Sequence, residues 1–310
     1  MTNGGKMKDV VLGAAGFIGG AVLEALHRRG QDVRAIDTSS IGLRLDRDAE
    51  WLKPIFDGVD TVFLCAGRTG GVGRMSSDPF SFMYPNVRIH MNVLEAAAAN
   101  GVRRVVCVQS TTGYPDSSAP MREDQYGDGD LHPAYTVPGT TWRFVGAVAD
   151  MFMSKTDLEV VFFRPSNVYG PRNSFDPKFS HVIEATVRKV VERQDPFKVW
   201  GNGMDVRDAI YIDDLAEAIT LGSHCPPGAY NVGTGQEMTV NEIIEVLLAH
   251  AAFHPMIEHD LSKPSAIKAR RVDCRKLRAL GWEPKVSMEE GLRKTHDWFA
   301  AQQGAQCLAA

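Results

Sequence analysis

The residues best placed to do chemistry come early in the chain. Gly13-Ala14-Ala15-Gly16-Phe17-Ile18-Gly19 follows the apolar run Val10–Leu12 and opens a helical stretch whose apolar positions fall on one face. Glycines at this spacing let a backbone approach a pyrophosphate, whose charge sits at the helix N-terminus. The next strand, Val33–Ile36, ends at Asp37, placed to accept hydrogen bonds from ribose hydroxyls and to repel a 2′-phosphate, so NAD(H) is expected over NADP(H). A second arrangement, His250 and His254 one helical turn apart, has the spacing of a metal pair. It has no acidic residue between its members and Pro255 closes the helix directly after, so the histidines read as exposed helix-end residues and no metal is expected.

The elements that must carry these groups alternate. Val10–Leu12, Val33–Ile36, Thr61–Leu64, Val102–Val108 and Leu158–Phe163 read as strands, and Asn86–Ala99 and Thr141–Met153 as helices between them. Strands separated by helices imply βαβ crossovers: an α/β fold of Rossmann type, a doubly wound parallel sheet with a smaller mixed α/β C-terminal substrate lobe. The expected division is 1–165 with about 206–226 for the dinucleotide domain, and 166–205 with 227–310 for the lobe. Thr239-Val-Asn-Glu242 and Ser287-Met-Glu-Glu290 mark helix starts by the capping-box pattern.

Composition narrows the partners. A chain of 310 residues with 44% hydrophobic and 23% charged residues has the make-up of a soluble globular protein. Its net charge of −4 argues against nucleic acid or a membrane surface as partner. Five scattered cysteines with no C-x-x-C pair fit a reducing compartment. The N-terminus reads without a signal peptide, so a cytoplasmic location is expected.

Several further motifs, in order and register, resemble the extended short-chain dehydrogenase/reductase (NAD-dependent epimerase/dehydratase) family that acts on nucleotide sugars, most of all its GDP-sugar epimerase-reductase branch. They are Cys65-Ala-Gly-Arg-Thr-Gly-Gly-Val, Ser110-Thr-Thr-Gly-Tyr-Pro115, Asn167-Val-Tyr-Gly-Pro171, Ser180-His-Val-Ile183, Val199-Trp-Gly-Asn-Gly203, Arg207-Asp208 and Asn231-Val-Gly-Thr-Gly235. The resemblance implies that Gly13, Gly16, Phe17, Ile18 and Gly19 line NAD, that Asp46 caps the adenine amino group, and that Ala66, Gly67 and Arg68 lie beside the nicotinamide ribose. It places Asn167, His181, Val182, Trp200, Arg207 and Arg270 around a GDP- or UDP-linked sugar, where an Arg fork suits a diphosphate. It further implies a homodimer through the helices 86–99 and 141–153, and oxidoreductase or isomerase activity in carbohydrate biosynthesis.

The family's chemistry rests on a Tyr-x-x-x-Lys pair, and none occurs here. With Tyr135 as the tyrosine, the lysine position is Gly139. In the register that aligns Leu131-His-Pro133 and Gly146, the pair becomes Gly139-x-x-x-Arg143. Arg143 can grip ribose or phosphate but cannot shuttle a proton. The acid/base then falls to Ser110, Thr112, Tyr114, Tyr135 or His181. Thr112 and His181 stand where the GDP-sugar branch has a Cys/His epimerisation pair, and a threonine hydroxyl titrates too high to replace the cysteine as a base. Two functions follow: an NAD(H)-dependent nucleotide-sugar enzyme with an atypical acid/base, or a catalytically silent relative that senses NAD(H) or a nucleotide sugar.

Overall fold

The computed structural model describes residues 9–37, 50–69, 78–117, 119–177, 180–262 and 271–309. A six-stranded parallel sheet has the order β2-β1-β3-β4-β5-β9, formed by Asp9–Leu12 (β1), Val33–Ile36 (β2), Thr61–Leu64 (β3), Arg104–Val108 (β4), Glu159–Pro165 (β5) and Gly228–Val232 (β9). The chain leaves β1 for one side of the sheet and returns on the other, so a crevice opens at the strands' carboxyl ends beside β1.

Alternation along each strand sorts the core into two layers. Val10, Leu12, Val62, Leu64, Val105 and Val160 face the helices Pro79–Ala99 (α3) and Thr136–Lys155 (α4). Val11, Phe63, Val106, Val161 and Phe163 face Phe17–Arg28 (α1) and Ile212–Thr220 (α6). A short helix, Leu52–Phe56 (α2), adds Leu52 and Phe56 to the first layer. Side chains of period two buried on both faces are what a doubly wound sheet demands.

The remaining elements build the C-terminal lobe. Asn167–Tyr169 (β6), Val206–Tyr211 (β8) and Glu237–Thr239 (β10) form a three-stranded sheet, and Phe197–Trp200 (β7) pairs with Ile257–Asp260 (β11). Val182–Val191 (α5), Val240–His250 (α7) and Met288–Ala309 (α9) enclose a third core of Ile183, Val187, Ile243, Leu247, Leu292 and Phe299. Arg275–Arg278 (α8) precedes α9. The sequence assigns 227–310 to the lobe, yet β9 completes the main sheet against β5. The starts of α3 and α4 lie earlier than expected: α3 starts at Pro79 behind the cap Asp78, and α4 starts at Thr136; α3 ends at Ala99 as expected.

Candidate functional site

The glycine turn has the shape its spacing demands. Gly13 has φ +84° and a Cβ there would lie 2.8 Å from Ala66 N; a Cβ on Gly19 would lie 2.0 Å from Gly13 O. Neither contact is survivable, so no other residue fits at either position. Gly13 N–H and Ala14 N–H donate to Ile36 O at 2.9 and 3.3 Å, which fastens the turn beside Asp37. The N-cap of α1 is Gly16, with no side-chain cap and no acidic residue in the first turn. That leaves the positive helix end to an anion. Phe17 and Ile18, half-buried, pack between the sheet and the lobe. Ala66, Gly67 and Arg68 leave β3 against this turn, and Asn86 holds them: Arg68 N–H donates to Asn86 Oδ1 at 2.9 Å and Asn86 Nδ2 donates to Arg68 O at 3.0 Å. These residues fit a dinucleotide. Asp46 lies outside the described residues.

The motifs of the sequence do not single out Asn86. Its signal is nonetheless there, as a polar side chain on the apolar face of a helix that the structure buries completely.

Ser110 and Thr112 follow β4 at the same edge of the sheet. Thr112 donates from both N–H and Oγ1 to Ser110 Oγ, at 3.1 and 3.0 Å. A buried network holds this loop from below. Arg164 Nε donates to Gln109 Oε1 at 2.7 Å, its guanidinium stacks 3.5 Å from the Tyr126 ring centroid, and Tyr126 OH donates to Ser110 O at 2.7 Å. Tyr114 belongs to this network and not to a proton relay. It is buried, its OH donates to Asn231 Oδ1 at 2.6 Å, and burial pushes its pKa up to about 12.

Arg143 is also corrected. All three guanidinium nitrogens end on backbone carbonyls: Nε on Gly113 O at 2.7 Å, Nη1 on Gly129 O at 3.0 Å and Nη2 on Asp128 O at 2.6 Å. It clamps the loop and does not reach for a ribose. Gly139 packs its Cα against this loop, where a Cβ would lie 2.6 Å from Thr112 O. Tyr135, half-buried at the N-cap of α4, stands one turn before Gly139, with the His132 ring centroid 5.9 Å from its own.

The lobe brings the substrate-side residues onto neighbouring elements. Asn167 on β6 donates from Nδ2 to Asp208 O at 3.2 Å, and Asn167 pairs with Ala209 on β8. Arg207, half-buried on β8, donates to Val206 O at 2.9 Å and meets Asp205 at 3.3 Å. Trp200 ends β7 with 68% of its surface exposed. His181 is the N-cap of α5 and Val182 its first residue. The His181 side chain is exposed to solvent, yet the protein around it desolvates the ring enough to lower its pKa below the ordinary imidazole value. Arg270 lies outside the described residues.

Comparison with known proteins places this geometry. The model described as "NAD dependent epimerase/dehydratase family" matches residues 10–233. GDP-L-fucose synthase 1 of Arabidopsis thaliana is 28% identical over 309 residues, covering 94% of this chain and 93% of its own. The solved UDP-glucose 4-epimerase of Thermus thermophilus, in complex with NAD, is 26% identical with a TM-score of 0.78 over 94% of this chain and 99% of its own. The GDP-L-fucose synthetase of Naegleria fowleri bound to NADP has a TM-score of 0.86 at 20% identity, over 98% of this chain and 96% of its own. With a glycine-lined crevice at the switch point of a parallel sheet and a family match over most of its length, the chain belongs to the NAD dependent epimerase/dehydratase family.

Proposed function

We propose that this chain is an NAD(H)-dependent enzyme that modifies a GDP- or UDP-linked sugar by epimerase, reductase or dehydrogenase chemistry, using an acid/base other than a Tyr-x-x-x-Lys pair. The observation that carries the reading is one sheet edge shared by two features. One is the uncapped, glycine-lined start of α1, and the other is the hydroxyl-bearing loop of Ser110 and Thr112. The names of the sequence relatives, GDP-L-fucose synthases among them, support the substrate class. Asp37 beside the glycine turn favours NAD(H), because a carboxylate there opposes a 2′-phosphate.

A bound nicotinamide supplies hydride exchange with a carbon of the sugar ring. The chain's part is to hold the sugar and move the accompanying proton. We assign that proton to the Tyr135 hydroxyl, because Tyr135 caps α4 one turn before Gly139, which packs on the Ser110–Thr112 loop, with Ser110 orienting the sugar hydroxyl. His181, its pKa lowered, is neutral at pH 7 and serves as a proton acceptor on the lobe side. Thr112 is a hydrogen-bond donor, not a base. Arg207 and Asn167 lie on paired strands and hold the diphosphate side. The commitment of Arg143 to three carbonyls favours a second reading, a silent binding relative, since Arg143 then does not take the lysine's place.

The test is mass spectrometry of small molecules released on denaturing the purified protein, followed by turnover on GDP- and UDP-sugars. NAD(H) near one per chain, and turnover that falls about 10²–10⁴-fold in Tyr135→Phe, is the expected result. Turnover untouched by both Tyr135→Phe and His181→Ala would remove the assigned proton carriers. Bound dinucleotide with no turnover on any sugar would establish the silent reading instead.

A further inference from the structure

The C-terminal lobe holds a side-chain cluster that takes no part in the site above. His250 ends α7, and His296 and Asp297 lie on α9. His250 Nε2 is 2.6 Å from Asp297 Oδ1, and His296 Nδ1 is 3.1 Å from the same oxygen. The two rings meet edge to face with centroids 5.0 Å apart. One ligand atom from each residue lies within 4.8 Å of the other two, and no other trio of this kind occurs among the described residues. Sequence spacing pairs His250 with His254; the fold pairs it with a helix 47 residues away.

A carboxylate only accepts hydrogen bonds, so both imidazoles present an N–H to one oxygen. Two ring nitrogens converging on a single carboxylate oxygen is an arrangement into which a divalent cation can insert, each ring then moving its proton to the other nitrogen. We propose that His250, His296 and Asp297 form a three-ligand site for a divalent cation of the zinc type, which fastens α7 to α9.

Zinc bonds of about 2.0–2.2 Å in tetrahedral geometry set ligand atoms roughly 3.3 Å apart. The 2.6 Å and 3.1 Å separations open slightly to reach this, and the two nitrogens already lie within 4.8 Å of each other. The Asp297 side chain, 62% exposed, is free to turn, while the His296 side chain, 12% exposed, is already set by its packing. The fourth position opens to water. Two imidazoles select zinc, copper or nickel over calcium and magnesium, whose ligands are oxygens.

The site's place in the fold makes it a brace. α7 begins at the cap Thr239, next to β10 and through it to Arg207 on β8. Eleven helical residues at about 1.5 Å each put His250 roughly 16 Å from that end. The ion would therefore tighten the lobe's helical layer without touching the reacting groups.

The experiment uses the full chain, free of any histidine tag and stripped with chelator. Calorimetric titration with zinc chloride is paired with thermal unfolding, in the native protein and in H250Q, D297N and the double variant. One zinc per chain and a rise in Tm of at least about 2 °C in the native protein are expected. Both effects should be lost in the double variant, with dinucleotide binding unchanged. Cobalt should give the visible bands of a tetrahedral site in the native protein alone. No binding by the native protein would overturn the proposal and leave an ion pair. Equal binding and an equal Tm rise in the double variant would overturn it as well, by placing the zinc at other histidines. Should H250Q fail to fold, D297N alone decides, since it removes the central oxygen's charge and keeps its shape.

Discussion

Three guanidinium nitrogens on three carbonyls make Arg143 the fastener of the loop that carries Ser110. Arg143→Ala leaves the buried Gly113 carbonyl unpaired and should cost about 2–3 kcal/mol in denaturant unfolding. Arg143→Lys, with one compact ammonium in place of a planar fork, should recover less than half of that. Dinucleotide affinity should stay within about threefold, a change of under about 0.7 kcal/mol. A larger loss of affinity would mean that Arg143 touches the cofactor. The glycine turn is readable in the sequence because its spacing is local and its steric demands are absolute. The partners of Arg143 are not, because the carbonyls of 113, 128 and 129 meet it only once the loop has taken its path. Tyr114 misleads for the same reason: a hydroxyl in a loop motif looks available until Asn231 of β9 is seen to take it.

At the scale of elements, helix α5 carries a titration of its own. Glu184 in its first turn is fully buried; Asn173 Nδ2 donates to Oε1 at 2.6 Å, while Oε2 has no partner among the described residues. Burial raises its pKa from 4.5 to about 7. The folded state thus binds the proton more tightly than the unfolded one. This group's stabilisation is complete below pH 4.5 and is lost as pH rises towards 7. The loss amounts to about 3 kcal/mol. Glu184→Gln should abolish that decline, so the stability difference between variant and native protein should grow from pH 4.5 to pH 8 in urea titrations. A difference independent of pH would show that Glu184 is ionised throughout. Helix starts show what local pattern reveals. Thr239 and Glu242 form the full capping box, and Ser287 delivers one arm, accepting from Glu290 N–H at 3.2 Å. The sequence places the starts of α3 and α4 too late, because Pro85 and the Pro138-Gly139 pair look like breaks. Asp78 before Pro79 is the telling signal, an N-cap followed by proline at the first helical position. Pro138 sits in the first turn of α4, where the missing N–H is harmless.

The whole molecule exposes apolar side chains along α3 and α4: Phe80, Tyr84 and Met91 on one, Phe144 and Met151 on the other. Core packing does not account for Phe144, which is 47% exposed. A homodimer through these two helices would cover them. Sedimentation should show a dimer for the native chain and a monomer for Met91→Glu with Phe144→Glu; a native monomer would leave this face to another role. Among the described residues no helix is long and apolar enough to cross a membrane. The parallel, helix-covered sheet is legible in the sequence, because short apolar strands alternate with helices along the chain. The return of β9 to the main sheet is not, since Gly228–Val232 carries no mark of which sheet its edge will join. The network around Asn231 reaches further than stability. The Asn231 side chain accepts from Tyr114 and donates to Met121 O and Asp273 O, its backbone N–H donates to Glu123 Oε1, and Arg164 links Tyr114 to Gln109. Residues far apart in the chain thus converge on a single asparagine. A change at any one of them alters what is tolerated at the others, so substitutions here have no fixed individual cost. In evolutionary terms these positions can drift only together, and their history should be written in pairs.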